Sequence, residues 1–180
     1  RYLRKEVLWP YLDSFSDQAV QFVRRRKRIP EWIHGHYADA GYVGGQISRL
    51  LGVPFVFTGH SLGRVKKERL LEKGVDKFRI EARYNISRRI EAEEFALDTA
   101  IMVVASTKQE IEKQYSLYEH YDPKRMVVIP PGVDLDDFFP PNRKRSRAVI
   151  MDQINRFLTT SGKPAVFAMS RADDRKNIET

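Results

Sequence analysis

Residues 55 to 70, Phe-Val-Phe-Thr-Gly-His-Ser-Leu-Gly-Arg-Val-Lys-Lys-Glu-Arg-Leu, gather the groups in this sequence best suited to chemistry. His60 is a titratable imidazole in a short polar stretch, and Arg64, Lys66 and Lys67 follow one turn further on. An imidazole that titrates near neutrality, free N–H groups at a helix start and several cations make a place for an anionic ligand. Gly59 and Gly63 let a ligand approach the backbone closely. Three other sets of residues could act on a ligand. His34 and His36 alternate, so on a strand both rings point to one side. They can line a cleft or pack; a zinc site lacks a third ligand at suitable spacing. Arg88 and Arg89 sit among Glu91, Glu93 and Glu94, and these carboxylates read as a helix face rather than the paired acids of a glycosidase. Arg171 and Lys176 lie five apart beyond the apolar run Ala165 to Met169 and, taken by themselves, read as a surface pair of cations.

These groups need strands and helices to position them. An apolar strand over Phe55 to Phe57 delivers the His60 loop, and a basic amphipathic helix to about Lys73 leaves it. Trp32 to His36 reads as the preceding strand. Between the two, Asp39 is placed to cap a helix from Ala40 to Leu51, with Gly52 as its stop. The small residues Ala40, Gly41, Gly44 and Gly45 in that helix permit close packing on a sheet. Strand, helix, strand at this spacing is a parallel βαβ unit. In such a sheet the ligand crevice lies beyond the carboxyl ends of the strands, where His60 falls.

Upstream, residues 2 to 28 follow a helical face, interrupted between Leu8 and Pro10 and stopped before Pro30. Downstream, one long helix fits Lys77 to Asp98, with Phe78, Ala82, Ile86, Ile90 and Phe95 along it. Ile101 to Val104 reads as a buried strand. Ser106 or Thr107 caps the next helix, with Glu110 at capping-box spacing from Thr107. Met126 to Ile129 is a further strand and Pro130 to Asp134 a rigid loop. Pro140 to Arg147 reads as a linker, residues 148 to 159 as a helix, and Ala165 to Met169 as a last strand with a loop from Ser170 to Lys176. The fold class expected is α/β, a Rossmann-like, doubly wound parallel sheet.

The chain has 180 residues, 42% hydrophobic and 31% charged, which suits a globular domain with a real core. Its net charge of +8 favours an anionic partner such as nucleic acid, a lipid surface or a phosphorylated small molecule. The basic runs, Arg24 to Arg28 and Arg143 to Arg147, carry no interleaved aromatics and read as a helix end and a linker rather than a nucleic-acid surface. No apolar run approaches the roughly 18 to 20 residues of a membrane span. Cysteine is absent, which excludes disulfides and thiolate metal sites and suits a reducing compartment. The sequence opens on Arg1 and closes on what reads as the start of a helix, as a piece of a longer polypeptide would.

Five segments together resemble the sucrose-phosphate synthases, retaining glycosyltransferases of the two-domain GT-B type. Thr58-Gly-His-Ser-Leu-Gly-Arg64 with Lys66 is similar to their acceptor-side loop, and His34-Gly-His-Tyr-Ala-Asp-Ala-Gly41 to a segment upstream of it. Arg89-Ile-Glu-Ala-Glu-Glu94 resembles a helix shared with sucrose synthases. Ile129-Pro-Pro-Gly-Val-Asp134 with Phe138 resembles the interdomain signature, and Ser170-Arg171 with Lys176-Asn177 the start of the donor domain.

The resemblance implies transfer of glucose from UDP-glucose to fructose 6-phosphate with retention, by positioning and electrostatics. His60 would sit beside the transferred sugar and hold its hydroxyls, not act as a general base. Lys66 would grip the acceptor phosphate, aided by Arg64 and by one of Arg88 and Arg89. Adjacent helical residues diverge by about 100°, so one of that pair should face the cleft, and Arg89 is preferred. His36 would line the sugar cleft, and Arg171 and Lys176 would meet the donor diphosphate. The partners implied are a nucleotide sugar and a sugar phosphate, with no nucleic acid, no membrane, no tightly bound cofactor and a cytoplasmic location. Mg2+ would be at most stimulatory, with no site visible; the oligomeric state stays open.

The implied domains are an acceptor-side domain over 1–140, a linker and helix over 141–164, and the start of the donor domain over 165–180. The family's glycine-rich loop would lie before residue 1 and its donor-binding glutamates after Thr180, so the 180 residues alone are expected not to turn over. Alternatives are a mannosylfructose-phosphate synthase, a sucrose synthase, a non-catalytic sugar-phosphate-binding domain and a basic nucleic-acid binder.

Overall fold

The computed structural model describes residues 5–139, 150–158 and 169–170. The chain divides into two compact units, Arg1–Gly132 and Val133–Thr180. In the second unit the described helix is Ile150–Phe157, inside the span where a helix is expected. The expected linker over 140–147 and most of the last expected strand lie outside the described residues.

The first unit carries a four-stranded sheet built from β1 (Ile33–His36), β2 (Phe55–Thr58), β3 (Met102–Ala105) and β4 (Met126–Val128). All neighbours pair in parallel and the strands lie in chain order. Short apolar runs with helices between them leave little choice, because parallel strands need a crossover long enough to return the chain. Ile33 pairs with Phe55 and His36 with Thr58, so β1 and β2 end level with each other. Their carboxyl ends therefore present His36 and the loop after Thr58 side by side.

Before the sheet, short 3-10 turns at Lys5–Val7 and Trp9–Tyr11 lead into α1 (Leu12–Arg25), the break expected around Pro10. α2 (Tyr37–Leu51) connects β1 to β2 and ends on left-handed Gly52. It starts three residues before the expected point. His36 is its N-cap without a side-chain bond, and Asp39 sits in the first turn instead of capping. α2 lies so close to the sheet that a Cβ at Gly41 would come within 2.5 Å of the Phe57 ring, and one at Gly44 within 2.8 Å of Phe55. The core beneath it contains Phe55, Phe57, Ala96, Leu97, Val103 and Tyr115.

The single helix expected from Lys77 to Asp98 is two. α4 (Lys77–Tyr84) is capped by Asp76, which accepts from the N–H groups of Phe78 and Arg79, and α5 (Ile86–Thr99) follows Asn85. Asn85 stands in the left-handed region at φ 44°, a conformation asparagine tolerates better than most residues. The break changes the phase of the buried face. Ile80 and Ile86 are buried, whereas Phe78, expected on that face, is 86% exposed. α3 (Gly63–Glu72) precedes this pair. After β3, α6 (Lys108–Lys113) is capped by Thr107, whose hydroxyl accepts from the Glu110 N–H while Glu110 accepts from the Ser106 N–H.

Candidate functional site: the His60 loop

The loop from Thr58 to Gly63 is delivered by β2 and leaves into α3. On its open side three imidazoles meet. His34 Nε2 lies 2.8 Å from Thr58 Oγ1, and His36 Nδ1 lies 2.8 Å from His60 Nε2. The His34 and His36 rings are 4.1 Å apart between centroids, because alternate residues on a strand share a face. The His36 and His60 rings are nearly parallel at 5.1 Å, and Tyr37 lies 4.9 Å from His60 on another side. Burial, followed by the neighbouring imidazoles, pushes His34 below the ordinary imidazole value. Burial and then His36 do the same to His60, against an opposing pull from Glu110. At neutral pH these two rings hydrogen-bond as neutral groups.

Two of the residues here have left-handed backbones, Tyr37 at φ 65° and His60 at φ 54°. For side chains of this size such angles cost on the order of 1–3 kcal/mol each, and they persist only where surrounding contacts hold them. The contacts beneath the loop are polar and buried. Glu93, fully buried on α5, accepts from the Gly63 N–H at 2.8 Å, from Arg89 Nε at 2.9 Å and from the Tyr118 hydroxyl. Arg89 also donates to the Ser61 carbonyl. The Tyr118 hydroxyl accepts from the Arg64 N–H, and the Tyr115 hydroxyl from the Gly59 N–H. Burial raises both phenols, Tyr115 to about 12, so neither ionises near neutrality.

This bracket corrects two expectations. The N–H groups at the start of α3 are not free for an anion: Gly63 and Arg64 give theirs to Glu93 and Tyr118. Glu93 and Glu94 are not a solvated helix face. Burial would raise Glu94, but Arg64 at 2.7 Å, the N–H groups of Glu119 and His120 and the His120 ring outweigh it and hold the carboxyl below its ordinary range.

The expected site residues are thus sorted by their surroundings. His36 and His60 come together with His34. Arg89, expected to face the cleft, is 5% exposed and committed to Glu93 and Ser61. Arg88 is the more exposed of the pair, 3.6 Å from Glu91 and lying against the Tyr42 ring. Arg64 pairs with Glu94, and Lys66 Nζ lies 3.5 Å from the centroid of the Tyr84 ring. Arg171 and Lys176 lie outside the described residues. Sequence reasoning missed Glu93, Tyr115 and Tyr118 as loop supports. The tyrosines, more than 50 positions from their loop partners, carry no local signal of that role.

The parallel sheet with a strained histidine loop at its carboxyl edge is a Rossmann-like α/β fold, of the kind found in GT-B glycosyltransferases. The sucrose-phosphate synthase from Thermosynechococcus elongatus superposes with a TM-score of 0.63 over 86% of this chain and 34% of that chain, at 23% identity, a likeness of fold. The sequence profile of Glycosyltransferase Family 4 matches residues 3–137, and the chain belongs to that family. Similar relatives include a probable sucrose-phosphate synthase 1 of Oryza sativa subsp. indica, 40% identical over all of this chain and 21% of its own length. The sucrose-phosphate synthase of Zea mays is 39% identical over all of this chain and 22% of its own length. The chain thus spans about a fifth of the length of the curated relatives it matches.

Proposed function

We propose that the chain is the acceptor-side part of a retaining hexosyltransferase that moves glucose from UDP-glucose to fructose 6-phosphate. The observation that carries this reading is the His60 loop, strained, fixed from beneath and open at the carboxyl ends of β1 and β2, in a chain similar to sucrose-phosphate synthases along its whole length. The reaction needs a positively charged sugar centre and a departing diphosphate to be stabilised in place. A neutral, oriented His60 suits contact with sugar hydroxyls and adds no charge that would oppose the sugar cation.

Lys66 holds the acceptor phosphate in this reading. The Tyr84 ring keeps its ammonium in one place, a contact worth about 0.5–1 kcal/mol at an exposed site. Arg88, half-exposed, is the second phosphate cation, and Arg89 serves by fixing Ser61. Arg171 and Lys176 meet the donor diphosphate, in a donor domain that begins near residue 165. The reaction as proposed requires no tightly bound cofactor. No described helix is long and apolar enough to cross a membrane; a cytoplasmic location is part of the proposal and fits the absence of cysteine.

The test is a full-length polypeptide carrying this chain, assayed with UDP-glucose and GDP-mannose against fructose and fructose 6-phosphate. Transfer confined largely to UDP-glucose with fructose 6-phosphate is the expected result. Preference for unphosphorylated fructose, or binding of fructose 6-phosphate without turnover, would overturn the assignment.

A further inference from the structure

We propose that His36 is a positioning residue that fixes the tautomer and orientation of the His60 ring, so that Nδ1 of His60 is the ring nitrogen offered to the ligand. The proposal rests on the reading of His60 as a ligand-facing residue. Its structural part stands on geometry alone. His36 Nδ1 lies 2.8 Å from His60 Nε2, a distance at which one nitrogen must carry a proton and the other a lone pair. Either way Nε2 of His60 is occupied. Among the described residues Nδ1 of His60 has no hydrogen-bond partner, and His60 is exposed.

Turning the ring over would put Cε1 in place of Nε2 and break the bond to His36, and the Tyr37 ring stands 4.9 Å away. The backbone that carries the ring is held left-handed at φ 54°, and the Arg89 guanidinium grips the Ser61 carbonyl of the next residue. His36 is itself steadied by the His34 ring 4.1 Å from it, and His34 by Thr58. The order of contacts is therefore Thr58, His34, His36, His60, running back onto the loop that starts at Thr58. Orientation of one functional imidazole by the hydrogen bond on its other nitrogen is a general device for setting which atom reacts.

The arrangement requires that at least one ring of the pair be neutral, because two imidazolium rings have no acceptor between them. The titratable groups facing His60 are His36, His34 and Tyr37 from β1 and the start of α2, and Glu110 from α6. Glu110 favours the His60 imidazolium and His36 opposes it. Acidification through the imidazole range should therefore part the two rings and free His60 to rotate.

The experiment is nitrogen-15 NMR of the histidine rings, followed by kinetics, on wild type, His36→Ala and His36→Asn. Asparagine places a polar atom near the position of Nδ1. The wild type should show His60 with one dominant tautomer and a hydrogen-bonded Nε2. His36→Ala should give a tautomer mixture like that of free imidazole, and His36→Asn should restore a single form. Circular dichroism of each variant shows whether it has folded. A His60 signal that is mixed in the wild type, or unchanged in folded His36→Ala, overturns the proposal, whatever the protein's activity. In the full-length polypeptide His36→Ala should lower kcat by about 10- to 100-fold, the usual loss when a reacting geometry loosens. Both KM values should stay within a few-fold, with partial recovery in His36→Asn. An altered tautomer with unchanged kcat would overturn the positioning role, and a wild type without any transferase activity would refute the proposed function while leaving the NMR result to decide the pairing.

Discussion

The Thr58–Gly63 loop meets a largely exposed cluster of imidazole rings on one side and buried charges on the other. On the open side His34, His36 and His60 touch through single hydrogen bonds and ring faces, and burial lowers the proton affinity of His34 and His60. On the inner side Arg89 and Glu93 form an ion pair with side chains 6% and 0% exposed, and Glu93 alone collects a backbone amide, a guanidinium and a phenol. The inner side makes the loop rigid at the level of the backbone. The open side sets where ring atoms point. Changes inside should therefore unfold or loosen the protein, and changes outside should alter the chemistry while leaving the fold nearly intact.

The largest effect tests the inner side. Glu93→Ala leaves a buried guanidinium, an amide and a phenol without their acceptor, and should cost about 3–5 kcal/mol in urea unfolding. A loss below about 1 kcal/mol would break the contrast, since that is the range of exposed ion pairs. Tyr118→Phe removes the hydroxyl that donates to Glu93 and accepts from the Arg64 N–H, and should cost about 1–3 kcal/mol by the same measurement. Gly63→Ala would put a Cβ 2.8 Å from Glu93 Oε2 and 3.0 Å from Ile90, and should cost about 1–3 kcal/mol through overpacking.

The open side predicts smaller changes in stability. Lys66→Ala gives up its contact with Tyr84, about 0.5–1 kcal/mol, yet should raise the acceptor KM far more than the donor KM in the full-length polypeptide. Equal shifts in both would remove Lys66 from the phosphate site. The pH dependence is the finest probe. His34 and His60 lie below the ordinary imidazole value in the folded state, so the unfolded chain binds more protons between the two values. Their contribution to stability is whole above about pH 6.5 and is lost as pH falls through that value toward the lowered folded values. The urea midpoint should accordingly drop between about pH 7.5 and pH 5.5, and the drop should shrink in a His34→Asn, His60→Asn double variant.

Much of the frame is legible in the sequence. Phe55-Val-Phe announces β2 because an uninterrupted apolar run between Pro54 and a polar loop has few other places to go. The small residues of α2 announce a helix pressed onto the sheet, and Gly41 and Gly44 sit against the Phe57 and Phe55 rings. The break at Asn85 is not legible, since no proline or glycine marks it and the apolar spacing runs on across it. The site is readable only in outline. His36 and His60 can be named from the sequence, but their 2.8 Å approach depends on the level pairing of β1 with β2. The carboxylates of α5 look alike in the sequence, and only packing separates buried Glu93 from exposed Glu91.

The sequence by itself determined the succession of parallel strands and helices and the loop that bears His60. Those follow from the spacing of apolar residues and from stop signals, which act over a few neighbouring positions. The tertiary structure alone decided which cations are committed to carboxylates, which amides of α3 are already used, and which nitrogen of His60 remains. Those depend on groups 24 to 56 positions apart, whose meeting no local pattern encodes and whose charges count for little until burial removes the water around them.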